Sequence, residues 1–326
     1  MPAGTSEPST ARAVDLLLVT FNSAHLLHRL RKTLWQAAAE GLKLRVLAVD
    51  NASTDRSAAL LRGCFPCDVI IENSRNLGFG RANNQLLQHV SAEYVLLLNT
   101  DAFAQPHTIA ATLDYMDAHP RCGILGVRLT GDDGELQPSR RSFPTPLTLF
   151  LRRAGLERFV PVAGARHDLE ADHTAEADCD WVPGCYYLVR RAVLEDIGLF
   201  DPRFFLYYEE VDHCRRARAA GWTVAYLPSV SAVHLGGESA RSVAPLSAHK
   251  QISPLQVESE LLYVRKHYGR AGLALHLALV GLADAIVACK LLAKRRGLPA
   301  AAANLRATLQ TWRLARTTAW ATRPTR

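Results

Sequence analysis

Three apolar runs in the first hundred residues stop on polar side chains able to bind or to do acid–base chemistry. Val19 is followed by Thr20-Phe21-Asn22, Val49 by Asp50-Asn51-Ala52-Ser53-Thr54-Asp55, and Leu98 by Asn99-Thr100-Asp101. A carboxylate at the end of a buried strand either shapes the turn into the next element or is kept for chemistry. An Asx-type turn explains one such Asp but not three strands ending alike. Asp101 suits a hard cation such as Mg2+ or Mn2+, which takes carboxylate oxygens and completes its shell with phosphates. Asp50 suits the N–H of a nucleobase or a ribose hydroxyl. Further on, Tyr207-Tyr208-Glu209-Glu210-Val211-Asp212 sets three acids at the start of a helix. Charge–dipole complementarity alone would favour them there. Neighbouring helix residues point about 100° apart, so one of the two glutamates can face a cleft. His234 closes an apolar strand just before the pair Gly236-Gly237.

These groups need elements to hold them. Val14–Val19 and Leu44–Val49 are unbroken apolar runs, the mark of strands covered on both faces. Val69–Ile71, Tyr94–Leu98 and Gly123–Leu129 read as further strands. Helices are expected over Ala24–Ala39, with Leu26, Leu27, Leu30 and Leu34 on one stripe, over 55–61 with Ser53 as cap, and over 80–89 and 106–118. Residues 130–178 look irregular, and 137–159 mix Arg140, Arg141, Arg152, Arg153 and Arg158 with apolar side chains. Regularity returns with a strand over 181–189, helices over 191–197 and 209–220, and strands over 223–227 and 230–234. Strands alternating with helices predict an α/β fold with a mostly parallel sheet. Such sheets gather ligands beyond the carboxyl ends of their strands.

The chain has 326 residues, 48% hydrophobic, and a net charge of +7. From Leu261 to Arg326 there are 12 Lys and Arg against Asp284 alone, or +11, which leaves −4 for the rest. A basic tail implies an anionic partner. Leu273–Ala293 is mostly apolar, but Asp284 in its middle disfavours a spanning helix. Two readings remain: a helix lying on an anionic membrane surface, anchored by Lys290, Lys294, Arg295 and Arg296, or a helix packed on the catalytic domain or on a second subunit as a homodimer. Arginines among apolar residues in 137–159 would add a second lipid contact. Nucleic acid is a poor partner for so apolar a tail. Seven cysteines, scattered apart from Cys64-Phe65-Pro66-Cys67, fit reduced thiols. With no apolar leader in MPAGTSEPSTARA, the expected place is the cytoplasm, peripheral on the inner face of the plasma membrane.

VTFNS (19–23), VDNASTD (49–55), NLGFGRANN (76–84), LLLNTDA (96–102), WVPGC (181–185) and FFLYYEEVDHCRRARAAGW (204–222) together resemble glycosyltransferase family 2, and within it rhamnosyltransferase-like bacterial members. The resemblance covers roughly residues 14–240. It implies a GT-A fold over 13–257, with a nucleotide-binding half, 13–129, and an acceptor half, 130–257. A disordered lead, 1–12, and a helical extension, 258–326, flank it. It also implies a nucleotide-sugar donor, a lipid-linked or cell-envelope saccharide acceptor, inversion at the anomeric carbon and Mg2+ or Mn2+. Position by position, Thr20, Phe21, Asn22, Asp50 and Asn51 would hold base and ribose. Asn99, Thr100 and Asp101 fall on the family's DxD-type motif, with Asn99 in place of its first Asp. His234 falls on a metal-coordinating position. Glu210 falls on the general base, with Glu209 and Asp212 in support, and the aromatic rings of Phe204, Phe205, Tyr207 and Tyr208 would raise its pKa towards neutrality. Trp181 and Gly184 would shape the acceptor wall, although Trp181 fits a core position equally well.

The segment Gly78-Phe79-Gly80-Arg81-Ala82-Asn83 lacks the third glycine of a dinucleotide fingerprint and opens the wrong helix for one, which speaks against hydride transfer. Its glycines are expected to let the backbone approach the donor, with Asn76 and Asn83 beside it and Arg75 or Arg81 against the diphosphate. The loop 236–242 would close as a lid, bringing Arg241 to the phosphates. Two other functions fit less well. A sugar nucleotidyltransferase needs a Gly-rich basic loop that 19–30 lacks, and a catalytically silent nucleotide-sugar binder draws only on Asn99.

Overall fold

The computed structural model describes residues 12–38, 41–160, 173–236, 253–293 and 298–326. Strands β1 (Ala13–Thr20), β2 (Lys43–Asp50), β3 (Cys67–Glu72) and β4 (Tyr94–Leu98) form one side of a ten-stranded sheet; β5 (Ala102–Ala104), β6 (Cys122–Thr130), β7 (Leu136–Gln137), β8 (Ala177–Asp178), β9 (Tyr186–Arg190) and β10 (Thr223–His234) complete it. The order is β3-β2-β1-β4-β9-β6-β10-β5, with β7 on β6 and β8 on β10. The helices are α1 (Ala24–Ala38), α2 (Ser57–Cys64), α3 (Phe79–Leu86), α4 (Thr108–Ala118), α5 (Pro146–Ala154), α6 (Arg191–Ile197), α7 (Glu209–Ala219), α8 (Pro254–Ala293) and α9 (Leu298–Thr317).

The apolar runs are continuous because both faces of the sheet are covered. Leu16, Leu18, Leu96 and Leu98 pack with Leu27 and Leu30 of α1 and Met116 of α4, whereas Leu17, Leu47, Val95 and Leu97 pack on the opposite side with Leu86 of α3 and Val193 of α6. β1, β2, β3 and β4 run parallel, as does β6 with β10. β9 lies antiparallel between β4 and β6, which makes the sheet mixed. The strand expected over 181–189 is confined to β9, and the two strands expected over 223–234 are one, bulged between Leu227 and Ser231.

Ser53 does not cap α2: its hydroxyl accepts from Asn22 N, and Asp55 instead accepts from Ser57 N. The stretch expected to be irregular contains α5, with Pro146 in its first turn, a Thr145–Thr148 capping box and left-handed Gly155 at its end.

Helix α8 is apolar and long enough to cross a membrane by length and composition, and it bends at Gly269, φ 71°. Asp284 explains how it sits. Its carboxylate takes a bidentate pair from Arg153 of α5, at 2.8 and 2.9 Å, and the Thr308 hydroxyl of α9 at 2.5 Å. Helix α8 therefore packs on the catalytic domain through one face, which agrees with the second reading of the tail. Its other face leaves Leu275, Leu282 and Leu292 exposed. Lys290 donates to Ala154 O at the end of α5 rather than facing lipid; Lys294, Arg295 and Arg296 lie outside the described residues, as do residues 1–11. Arg153 likewise turns inward and not to a lipid surface.

Candidate active site

The ends of β1, β2 and β4 lie side by side, because β1 pairs in register with both neighbours. Asp50 is buried there; its Oδ1 accepts from Thr20 Oγ1 at 3.1 Å and its Oδ2 from Ser53 N at 3.0 Å. The turn reading and the binding reading thus describe the same carboxylate: two of its lone-pair sites shape the loop, and each oxygen keeps another. Asn22, left-handed at φ 52°, uses its side-chain carbonyl to accept from Thr54 N and Oγ1. Thr100 ties β4 to the β1 loop by donating to Ser23 Oγ. Phe21 is half-buried beside them.

Asn51 is a clip. It donates to Asn76 Oδ1 and Gly78 O and accepts from Leu77 N and Asn73 Nδ2. That uses its full amide capacity, so Asn51 shapes the 73–78 loop and leaves nothing for a ligand. Asn76 accepts a second bond from Gly78 N. Gly78 is required by the packing of its own loop. Its φ is 84°, and a Cβ there would stand 2.3 Å from Phe205 O; the backbone it approaches is the loop ahead of α7, to which Phe79 N also donates. Arg81 donates to the carbonyls of Pro202 and Arg326. Asn83 donates to Phe79 O. Arg75 is exposed.

Asp101 and His234 meet because β5 pairs antiparallel with β10, setting His234 opposite Ala102, and because Leu235 N donates to Asp101 O. His234 Nε2 lies 3.7 Å from Asp101 Oδ1. Gln137 fixes the imidazole. Its Nε2 donates to His234 O at 2.8 Å, so its Oε1 faces His234 Nδ1, also at 2.8 Å. Nδ1 therefore carries the proton and Nε2 presents a lone pair towards Asp101. Burial lowers the His234 pKa, against the charge of Asp101, which keeps the ring neutral. A bare imidazole nitrogen facing a carboxylate oxygen is a donor set for a divalent cation. Asn99 has a buried side-chain carbonyl oxygen with no hydrogen-bond partner among the described residues. Among the described residues no group of three or more His, Cys, Asp or Glu forms a closed site. The set fits Mg2+ or Mn2+, which bind through few protein ligands and keep positions for phosphate oxygens.

Glu209 and Glu210 follow two consecutive left-handed tyrosines, Tyr207 and Tyr208, at φ 70° and 68°. Such backbone costs about 1–3 kcal/mol per residue and persists only where its surroundings hold it. Helix α8 supplies the hold: Ser259 Oγ donates to Leu206 O, and Tyr208 OH donates to Glu260 Oε2. Among the described residues the Oε2 atoms of both glutamates are enclosed without a hydrogen-bond partner. Burial raises Glu210 to about 7, opposed by the amides at the helix start and by Arg141. Burial and the Glu210 charge push Glu209 well above the carboxylate range. A methyl group on Gly184 would lie 3.6 Å from Glu210 Cβ, and Asn99 N donates to Cys185 O. Burial raises the Cys185 thiol, which also feels the charges of both Asp101 and Glu210. The Asp101–His234 pair and Glu210 are thus linked through Asn99, Cys185 and Gly184.

Asp212 is engaged elsewhere. It pairs with Lys266 and His267 of α8 and with Arg216. Burial would raise it, but His267 and Lys266 hold it at about 2. It joins α7 to α8, a role hidden in the sequence because its partners on α8 are more than fifty residues away. Trp181 packs at the junction of two core clusters and donates from Nε1 to Ser142 O. Residues 237–242, including Arg241, lie outside the described residues.

A family model described as Glycosyl transferase family 2 matches residues 15–198. The chain belongs to glycosyltransferase family 2. Among curated relatives, the N-acetylglucosaminyl-diphospho-decaprenol L-rhamnosyltransferase of Mycobacterium tuberculosis is 29% identical over 238 residues, covering 68% of this chain and 75% of that one. Rhamnosyltransferase WbbL of Escherichia coli is 25% identical, covering 51% and 63%. Among solved structures, the mannosyltransferase PcManGT of Pyrobaculum calidifontis, in complex with GDP-Man and Mn2+, aligns with a TM-score of 0.51 at 17% identity, covering 98% of this chain and 90% of that one. GalNAc-T7 with UDP, GalNAc and Mn2+ gives 0.52 at 13%, covering 81% and 51%. The fold of this glycosyltransferase is of the GT-A type, as its motifs imply.

Proposed function

We propose that this glycosyltransferase moves a sugar, L-rhamnose from dTDP-L-rhamnose, onto a hydroxyl of a saccharide carried by a lipid diphosphate. The observation that carries the reading is the enclosed Glu210 carboxyl, held at about 7 and linked to Asp101 and His234 through Gly184, Cys185 and Asn99. A carboxylate with that pKa takes up a proton near neutral pH. Glu210 removes the proton from the acceptor hydroxyl as its oxygen attacks the anomeric carbon. The bond from that carbon to the diphosphate breaks, the leaving nucleoside diphosphate keeps the electron pair, and the configuration inverts. Asp101, His234 and Asn99 would hold Mg2+ or Mn2+, which supplies charge stabilisation for the leaving diphosphate. Asp50 binds base or ribose at the ends of β1 and β2. The relatives that transfer rhamnose, one to a decaprenyl-diphosphate saccharide by its name, support this choice of donor and acceptor.

The same reading sets the enzyme on the cytoplasmic face of the plasma membrane. Leu298, Leu305, Leu309 and Trp312 on α9 are exposed beside Arg306, Arg313 and Arg316, a pattern suited to an anionic lipid surface. The test is Glu210→Gln, assayed with dTDP-L-rhamnose, Mn2+ and a lipid-diphosphate saccharide. Transfer should disappear while the donor still raises the melting temperature. Retained transfer, or loss of donor binding, would remove Glu210 from this role.

A further inference from the structure

Behind the loop that carries the glutamates, a cavity of ≈ 970 Å3 opens between α5, α8 and α9. Its volume lies near the top of the range for small-molecule pockets. Asp101, His234 and Glu210 do not line it, but Tyr208, two residues before Glu210, does. The lining has an apolar part, including Leu149, Leu279 and Leu314, and a polar part with His276 and Arg313.

The polar part is not used up by the fold. His276 is 1% exposed, and its Nδ1 has no hydrogen-bond partner among the described residues, while its Nε2 faces Glu260 Oε1 at 3.2 Å. The buried acids of the lining are already matched: Glu260 accepts from Tyr208, and Asp284 is held by Arg153 and Thr308. Arg313 has no ion-pair partner among the described residues. The cavity therefore offers an unmatched cation, a buried unpartnered imidazole nitrogen and an apolar wall. The helix that contributes Arg313 also turns Leu305, Leu309 and Trp312 outward.

We infer that this cavity receives the lipid-carrier end of the acceptor, with the diphosphate against Arg313 and His276 and the first isoprenoid units along the apolar wall. The inference rests on the acceptor class proposed above. With Tyr208 shared between cavity and catalytic loop, the carrier docks on one side of that loop and its saccharide is handed to the cleft on the other.

The probe is farnesyl diphosphate, titrated calorimetrically into the full chain without nucleotide. Saturable binding is expected, unchanged by saturating dTDP and weakened about tenfold or more by Ala307→Phe, which fills the cavity, and by Arg313→Glu at its exposed rim. Both variants should keep the thermal shift given by dTDP-L-rhamnose, which certifies that they fold. Displacement of the probe by dTDP would place it in the donor cleft and overturn the inference. So would equal binding of farnesol, equal competition by phosphatidylglycerol vesicles, or a dimer seen by light scattering that Ala307→Phe dissolves while no probe binds. Failure of dTDP-L-rhamnose to shift the wild-type melting temperature, with farnesyl diphosphate still bound, would instead sink the donor assignment alone.

Discussion

Replacing Glu210 by Gln should make the protein more stable and inactive at once, with the gain in stability depending on pH. In the unfolded chain a glutamate titrates near 4.3; in the fold, burial holds Glu210 at about 7. Between those values the folded state keeps a proton that the unfolded state has lost. Stability from this group is therefore complete below about 4.3, falls as pH rises towards 7, and is flat above. At 1.36 kcal/mol per pKa unit, and allowing for the partial exposure of the side chain, the loss is on the order of 2–3 kcal/mol. Glutamine is neutral throughout and escapes it. Urea unfolding of wild type and Glu210→Gln should coincide near pH 4.5 and differ by about 2–3 kcal/mol in favour of the variant at pH 8. The wild-type kcat/KM should fall about tenfold per unit below pH 7, since only the carboxylate accepts a proton. A stability difference that does not change with pH, a variant less stable at pH 8, or a rate flat down to pH 5.5 would refute the enclosed-carboxyl argument.

Asp284→Ala strands the inward-facing Arg153 and should cost about 3–5 kcal/mol in denaturant unfolding; adding Arg153→Met should recover most of that loss. Gly78→Ala meets Phe205 O at 2.3 Å in a left-handed backbone, so its unfolding midpoint should drop sharply and transfer fall with it. Gln137→Leu frees the imidazole of His234 and should raise the Mn2+ concentration for half-maximal donor binding by about 10–100-fold, with little change in melting temperature without metal.

The long strands were legible because burial on both faces demands unbroken apolar runs, as at Leu16–Leu18 and Leu96–Leu98. Strands β5, β7 and β8 have two or three residues each, too few to show a period. Helix α5 has its capping signals in Thr145, Pro146 and Gly155, but the arginines interspersed with its apolar residues blur its periodicity. Asp50 and Asp101 were visible as polar ends of apolar runs and Glu210 as one of three acids at a helix start, and family motifs supplied their expected roles. Gln137 was not visible, since only the β6–β7 hairpin brings it to His234. Asp212 reads in the sequence as a neighbour of the glutamates because Lys266 and His267 are remote from it, and the contacts of Arg81 with Pro202 and Arg326 have no sequence signal.

The strained Tyr207-Tyr208 pair has a consequence for shortened chains. Its restraints, Ser259 and Glu260, follow it by some fifty residues. The sheet is complete in sequence at His234, the end of β10, so a chain that stops ahead of Ser259 has every strand but lacks the contacts that set the segment bearing Glu210. Such a truncated chain should bind nucleotide yet leave every acceptor untouched.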